Sequence, residues 1–407
     1  MQVSQSCEAA LQHLLPGRSD TLLLSACLLD GADAAHAWSE FAAAVADPKR
    51  YFEADQTGLK GLLPFLGSRL MANDIDPGRE FQTYARVAFV REELRSRIYQ
   101  DILTSVLDAF DAARIEMLLL KGAAVSATVY PQPSARHNHA IDLLVERAQL
   151  GAAREVIERL RFAAAPPGPG FADHRDYRHW TGLALGLHAR ALFLPHLEMA
   201  PEELWGNART VRAGGVAARV MSPEHALVHV LAHACYARSR ANLRWVCDAY
   251  YLVQRNAALD WDAVARAATV ARATLPALVM LRWLRESFGL PIPERATKAL
   301  GAASAELDRI AVEGIFASLL HTQQSWTRAL ACFGGDRRTM WRFVRFSVLP
   351  SPRYVRWRYN VRSDWTLPLY YVRRPLRFAI GAMRRRFRGE RTGDAARSVA
   401  DEGVVGR

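Results

Sequence analysis

Two short apolar runs carry the residue types best suited to chemistry. IEMLLLKG (115–122) ends in Lys121-Gly122, and AIDLLV (140–145) carries Asp142. Glycine admits close backbone approach to a bound group, and a carboxylate on a neighbouring strand is an oxygen ligand of the kind Mg2+ prefers. Arg136, in the loop between the runs, has the planar guanidinium that grips phosphate in two places. Each residue also has a plainer reading. An aspartate in an apolar strand is commonly capped or turned to solvent, a lysine at a strand end is commonly solvated, and Arg136 is one arginine among many. His225, His229 and His233 are four apart and stack on one helix face, a spacing compatible with Zn2+. No carboxylate or cysteine pattern completes such a site, and the structural reading is preferred.

The elements that must position these residues follow from periodicity. Residues 20–75 read as short helices (LLLSACLL, AHAWSEFAAAVA, LKGLLPFLGSRLM) separated by Asp, Gly and Pro. A long helix is expected from Arg79 to Ala113, with Val87, Phe89, Leu94, Ile98, Ile102, Val106, Leu107 and Phe110 at near-helical spacing. Residues 115–122 and 140–145 read as buried strands, and 123–130 as one or two helical turns. The segment 147–162 reads as an amphipathic helix with Leu150, Val156, Ile157 and Leu160 inward. A third strand is expected within TGLALGLHAR (181–190), after a break at APPGPG (165–170). Ser222-Pro223-Glu224 is a helix start, and helical patterns continue to about residue 326. The expected fold is mixed α/β. An N-terminal helical region (1–111) precedes a small sheet core (112–220), then a C-terminal helical region (221–335) and a tail (336–407).

Half of the 407 residues are apolar, enough for sizeable cores. No secretory leader and no run of membrane-spanning length is evident. The five cysteines, Cys7, Cys27, Cys235, Cys247 and Cys332, form no ligand-like spacing, which suits a reducing compartment. A cytoplasmic location is expected, with attachment to the inner membrane face as a further option. Charge concentrates at one end: residues 337–391 hold sixteen arginines and two acids, Asp364 and Glu390, while the whole chain is +12. RRPLRFAIGAMRRRFRG (373–389) suits a solvated helix, an anionic membrane surface or nucleic acid, though no module for specific nucleic-acid recognition is present.

The two runs together resemble a bacterial nucleotidyltransferase family with the polymerase-beta-like fold. In that family a Leu-Lys-Gly strand end precedes Tyr-Pro, an Arg, and Asp-Ile-Asp-Leu-Leu-Val. Lys121, Gly122, Tyr130, Pro131, Arg136 and Asp142 fall on matching positions. In a second block, MSPEHALVHVLAHACYARSRANLRWVCDAYYLV, so do His229, His233, Arg244, Trp245 and Asp248. Arg244 and Asp248 read as a helix pair or a helix-to-core tie.

The resemblance implies transfer of a nucleotidyl group from an NTP, with Mg2+, to a hydroxyl or phosphate on a small molecule, glycan precursor or peptide. It implies Asp142 as metal ligand and catalytic residue, with Lys121, Gly122 and Arg136 contacting the nucleotide. His137 and His188 are supporting candidates. Two departures stand against activity. The first acid of the Asp-x-Asp pair is Ala140, and the acid expected before Leu187-His188 is Gly186. One of three metal-binding acids survives, which raises the alternative of a catalytically degenerate protein that binds a nucleotide or a protein partner.

Overall fold

The computed structural model describes residues 2–372, apart from 55–57, 167–173, 193–196, 237–242, 306, 308–309, 313, 316–336, 360 and 362–363. Five short helices open the chain: α1 (Gln2–Gln12), α2 (Arg18–Leu28), α3 (Gly31–Ala44), α4 (Pro48–Glu53) and α5 (Leu63–Ala72). The 34-residue α6 (Arg79–Ala112), about 50 Å long at 1.5 Å per residue, leads into the sheet. The sheet region runs β1 (Met117–Leu120), α7 (Lys121–Thr128), β2 (Ala140–Val145), α8 (Leu150–Arg159), β3 (Phe162–Ala164), β4 (His174–His179), β5 (Ala184–His188), α9 (Pro201–Gly206), β6 (Arg209–Ala213) and β7 (Val216–Val220). Helices α10 (Pro223–Tyr236), α11 (Arg244–Gln254), α12 (Trp261–Val270), α13 (Thr274–Phe288) and α14 (Glu294–Ser304) follow. Two further helices, Arg337–Val348 and Pro352–Tyr359, lie in the arginine-rich region.

The fold is mixed α/β, as expected. Seven strands lie in the order β3-β4-β5-β2-β1-β7-β6. The central strands β1 and β2 are antiparallel, flanked by β7 parallel to β1 and β5 parallel to β2. All four β1 residues are buried, which is why that strand reads as an unbroken apolar run rather than an alternating one. β6 and β7 form a hairpin closed by Gly214 and Gly215, at φ +57° and +86°. Two successive positive φ angles are what a two-residue hairpin turn of the favoured twist requires.

The sheet divides two cores. Leu119, Ile141, Leu143, Val145, Leu185 and Leu187 face α8 and the C-terminal half of α6, where Leu103, Val106, Leu107 and Phe110 are buried. Leu118, Leu120 and Leu144 face a larger core that joins α2, α3 and α5 to α10–α14. The helices before and after the sheet therefore share one interior. Arg282 pairs with Glu8 across it at 3.0 Å.

The long helix forms where the periodicity places it, but its inward face differs from the expectation. Phe81, Ala85, Glu92, Tyr99, Leu103, Val106, Leu107 and Phe110 are buried, whereas Val87, Leu94 and Ile98 are about half exposed. The helix carries apolar residues on two faces, and the polar Glu92 sits in the buried one because the loop after α7 supplies it with partners. Ser222 caps α10 as predicted, its Oγ accepting from the His225 amide at 3.4 Å. Cys7, Cys27, Cys235 and Cys247 are buried. The helix expected near 303–326 and the basic segment 373–389 fall largely or wholly outside the described residues.

Candidate functional site

The chain leaves β1 and enters α7 with no intervening loop. Lys121, the junction residue, has φ +50°, a left-handed conformation that costs a non-glycine residue about 1–2 kcal/mol. Strain of this kind gathers at sites where a side chain must be aimed. Leu120 pairs with Asp142 across β1 and β2, so Lys121, one residue on, reaches the same carboxylate. Its Nζ donates to Asp142 Oδ1 at 2.8 Å.

On the other side of β2, Gly186 stands opposite Asp142 and His188 opposite Leu144. One strand further out, Asp176 stands opposite Gly186 and His174 opposite His188. This register puts Asp142, His188, His174 and Asp176 on one face of the sheet, where they form a chain. His188 Nε2 donates to Asp142 Oδ1 at 2.8 Å, the two histidine Nδ1 atoms are 3.0 Å apart, and His174 Nε2 lies 2.9 Å from Asp176 Oδ1. Both outer nitrogens face carboxylates and so carry protons.

Burial favours the neutral acid at Asp142, but Lys121 and His188 outweigh it and hold the carboxyl well below the usual aspartate range. Burial, followed by the Lys121 charge, pushes His188 down to about 4. Burial also raises Asp176, but less than the hydrogen bond from His174 lowers it. Gly186 is what lets this chain close. A Cβ there would stand 2.7 Å from Asp142 Oδ1 and 2.8 Å from His188 Nε2, closer than packed atoms approach.

The remaining predicted residues lie elsewhere. Arg136 is taken up by Asp248 and Asn138. Its Nε and Nη2 donate to the two oxygens of Asp248 at 2.7 Å each, and Nη1 donates to Asn138 Oδ1 at 2.7 Å. Tyr130 adds its hydroxyl to Asp248 Oδ1 at 2.8 Å. The Tyr, Arg and Asp of the two matching sequence blocks thus make one buried tie between the loop and α11. Asp248 is the helix-to-core tie foreseen from sequence, although its partner is Arg136 rather than Arg244.

Gly122 serves this tie. A Cβ on it would coincide with the Arg136 guanidinium and the Asn138 amide, so the glycine makes room for packing beside the phosphate-approach role the resemblance implies. His137 turns away from Asp142 to Glu92, with Nδ1 2.7 Å from Oε2, while Arg95 pairs with the same carboxylate at 2.9 Å. Arg244 donates to the His137 carbonyl at 2.9 Å. Each of two α10 histidines has its own structural partner. His225 Nδ1 meets Ser222 Oγ at 2.9 Å, and His229 donates to the Ala191 carbonyl at 3.0 Å.

Mg2+ asks for near-octahedral oxygen ligands, usually including more than one carboxylate or phosphate oxygen. Here Asp142 is the one acid on β2, its Oδ1 already takes two donors, and Ala140 and Gly186 offer no side-chain oxygen. Asp176 is two strands away, about 10 Å across the sheet at the usual strand spacing. Among the described residues no three His, Cys, Asp or Glu side chains converge on a metal position. The donors present do not fit the metal site that the resemblance implies.

His174 and Asp176 escaped the sequence reading, as did Glu92 and Asn138. The signal for the first pair was a His-x-Asp alternation in HRDYRH, a segment too polar to read as a strand.

A strand running directly into a helix that begins with Lys121-Gly122, and an aspartate on the antiparallel neighbour, are consistent with a nucleotidyltransferase-like class. The family described as "uncharacterised nucleotidyltransferase" matches residues 56–289, more than half of the chain, and the chain belongs to that family. No curated protein matches it.

Proposed function

We propose that this member of the nucleotidyltransferase family has given up metal-dependent transfer and keeps the pocket that Lys121 lines with Leu120, Ala124, Met221 and His229 for binding a nucleotide without Mg2+. One observation carries this reading. The surviving acid accepts from Lys121 and His188, over a glycine where an added Cβ would crowd both Asp142 and His188. The site is rebuilt around its loss rather than merely lacking a ligand.

A second reading rests on the retention of Asp142 itself. An active enzyme would use an NTP and Mg2+ to modify a hydroxyl or phosphate of a small molecule, glycan precursor or peptide. Lys121 would then have to leave the carboxylate, and a partner protein would have to bring the absent acids.

The two readings predict opposite signs for Asp142→Asn. If Asp142 only holds Lys121, its neutralisation frees a cation for phosphate, and nucleotide affinity measured without Mg2+ rises roughly fivefold or more. If Asp142 is a metal ligand, the same change abolishes Mg2+-dependent nucleotide binding. Calorimetric titration with ATP, GTP, CTP and UTP, with and without Mg2+, decides between them. Labelled-nucleotide transfer by the wild type that is lost in Asp142→Asn would overturn the proposal.

A further inference from the structure

The described residues of 337–372, which lie beyond the family match at 56–289, form short helical segments. The helix Arg337–Val348 is followed by Pro352–Tyr359 and by a helical turn at 367–372. The inner contacts are specific. Val355 and Leu367 are buried, Phe346 meets Tyr354 edge-on at 4.6 Å, and the Tyr371 hydroxyl donates to the Pro350 carbonyl at 2.7 Å. Tyr370 packs on Tyr359 at 5.1 Å.

The outer face of the same segments is apolar as well. Trp365 is 93 % exposed and Leu369 66 % exposed; with Val372 they are spaced four and three apart, one stripe on the side opposite Leu367. Trp341, 65 % exposed, stands out from the helix Arg337–Val348, and the exposed Leu349 follows its last residue. A helix apolar on both sides is normally covered on both.

Charge shows what suits the cover. Residues 337–372 hold eight arginines and one acid, Asp364, and Arg342, Arg345 and Arg353 are exposed beside the apolar side chains. The next nineteen residues add eight more arginines and one acid, Glu390. Tryptophan, leucine and arginine projecting together match an anionic bilayer surface, where indole and aliphatic groups enter the acyl boundary and guanidinium groups meet phosphate. Nucleic acid would take up the arginines and stack on the tryptophans, but it would leave Leu349, Leu369 and Val372 in water. No helix among the described residues is long and apolar enough to cross a membrane, so the contact is one of lying on the surface.

We infer that residues 337–372 dock this protein on an anionic lipid surface through Trp341, Leu349, Trp365, Leu369 and Val372, with the surrounding arginines supplying the charge selectivity.

The test is sedimentation of the full chain with vesicles of phosphatidylcholine alone and with about one third phosphatidylglycerol. The expected result is binding to the anionic vesicles stronger by about tenfold or more, weakened by high salt. Trp365→Ser combined with Leu369→Ser should lower it by about fivefold or more with an unchanged thermal melt, because both side chains are exposed. Trp341→Ser is an independent second variant expected to act in the same direction. Equal binding to both vesicle types would overturn the inference, as would variants that bind like wild type. Binding to a single-stranded oligonucleotide that outcompetes anionic vesicles and ignores the serine substitutions would overturn it too.

Discussion

Asp142 and Gly186 face each other across β2 and β5, and a Cβ on residue 186 would fall 2.7 Å from Asp142 Oδ1. An acid placed at 186 must therefore displace the Asp142 carboxylate or the His188 ring. Gly186→Glu should destabilise the fold by about 1–3 kcal/mol through overpacking, and should not create Mg2+ binding by itself. Ala140→Asp enters a partly buried strand position and should be tolerated. Differential scanning calorimetry of both variants, with and without Mg2+, checks this. A Gly186→Glu protein as stable as wild type would show that the Asp142–His188 contact relaxes freely.

Stability should fall in mild acid because of buried histidines. Burial first, then the Lys121 charge, pushes both His188 and His229 down to about 4, from an unfolded value near 6.5. Between those values the unfolded chain binds more protons than the folded one, so stability is intact above about pH 6.5 and declines toward pH 4. Each ring contributes at most about 1.4 kcal/mol per pH unit over that window. Asp142 acts lower down: its depressed folded value adds stability above the ordinary aspartate range, lost as pH falls through the folded value. His229→Gln keeps a donor for the Ala191 carbonyl but cannot titrate. Urea melts at pH 7.5, 6 and 5 should show a shallower slope for it, and an unchanged slope would remove His229 as a contributor.

The sequence made the central strands legible because β1 is covered on both faces and reads as an unbroken apolar run, and β2 is interrupted only by Asp142. β2 appears at residues 140–145 as expected. The outer strands were hidden for the opposite reason. HRDYRH buries Tyr177 alone among its six residues, and β3 has three residues. The β6–β7 hairpin carried a readable signal in Gly214-Gly215, flanked by RTVRA and VAARV, which the periodicity alone did not bring out. At the site, the fold brings Lys121 and His188 onto the Asp142 carboxylate. The direction of Arg136 was not legible, because its partner Asp248 lies 112 residues away and only the folded chain brings α11 to the loop.

That distant pair sets a further expectation. The Arg136 and Asp248 side chains are 10 % and 7 % exposed and joined by two 2.7 Å hydrogen bonds, with Tyr130 on the same carboxylate. Removing one partner strands a buried charge, so Asp248→Ala should cost about 3–5 kcal/mol. Tyr130→Phe, which removes one hydrogen bond, should cost about 1 kcal/mol. Replacing both charges, as in Arg136→Met with Asp248→Leu, should recover most of the loss, since a well-packed apolar pair often matches a buried ion pair. Gly122→Ala should behave like a milder Asp248→Ala, because its new methyl group displaces the same guanidinium. Urea unfolding of the set measures these differences. Nucleotide titration of the double variant then separates two roles for Arg136. Wild-type affinity in a folded Arg136→Met/Asp248→Leu protein assigns Arg136 to the loop–α11 tie, whereas lost affinity at wild-type stability would mean that its guanidinium leaves Asp248 to meet the phosphates.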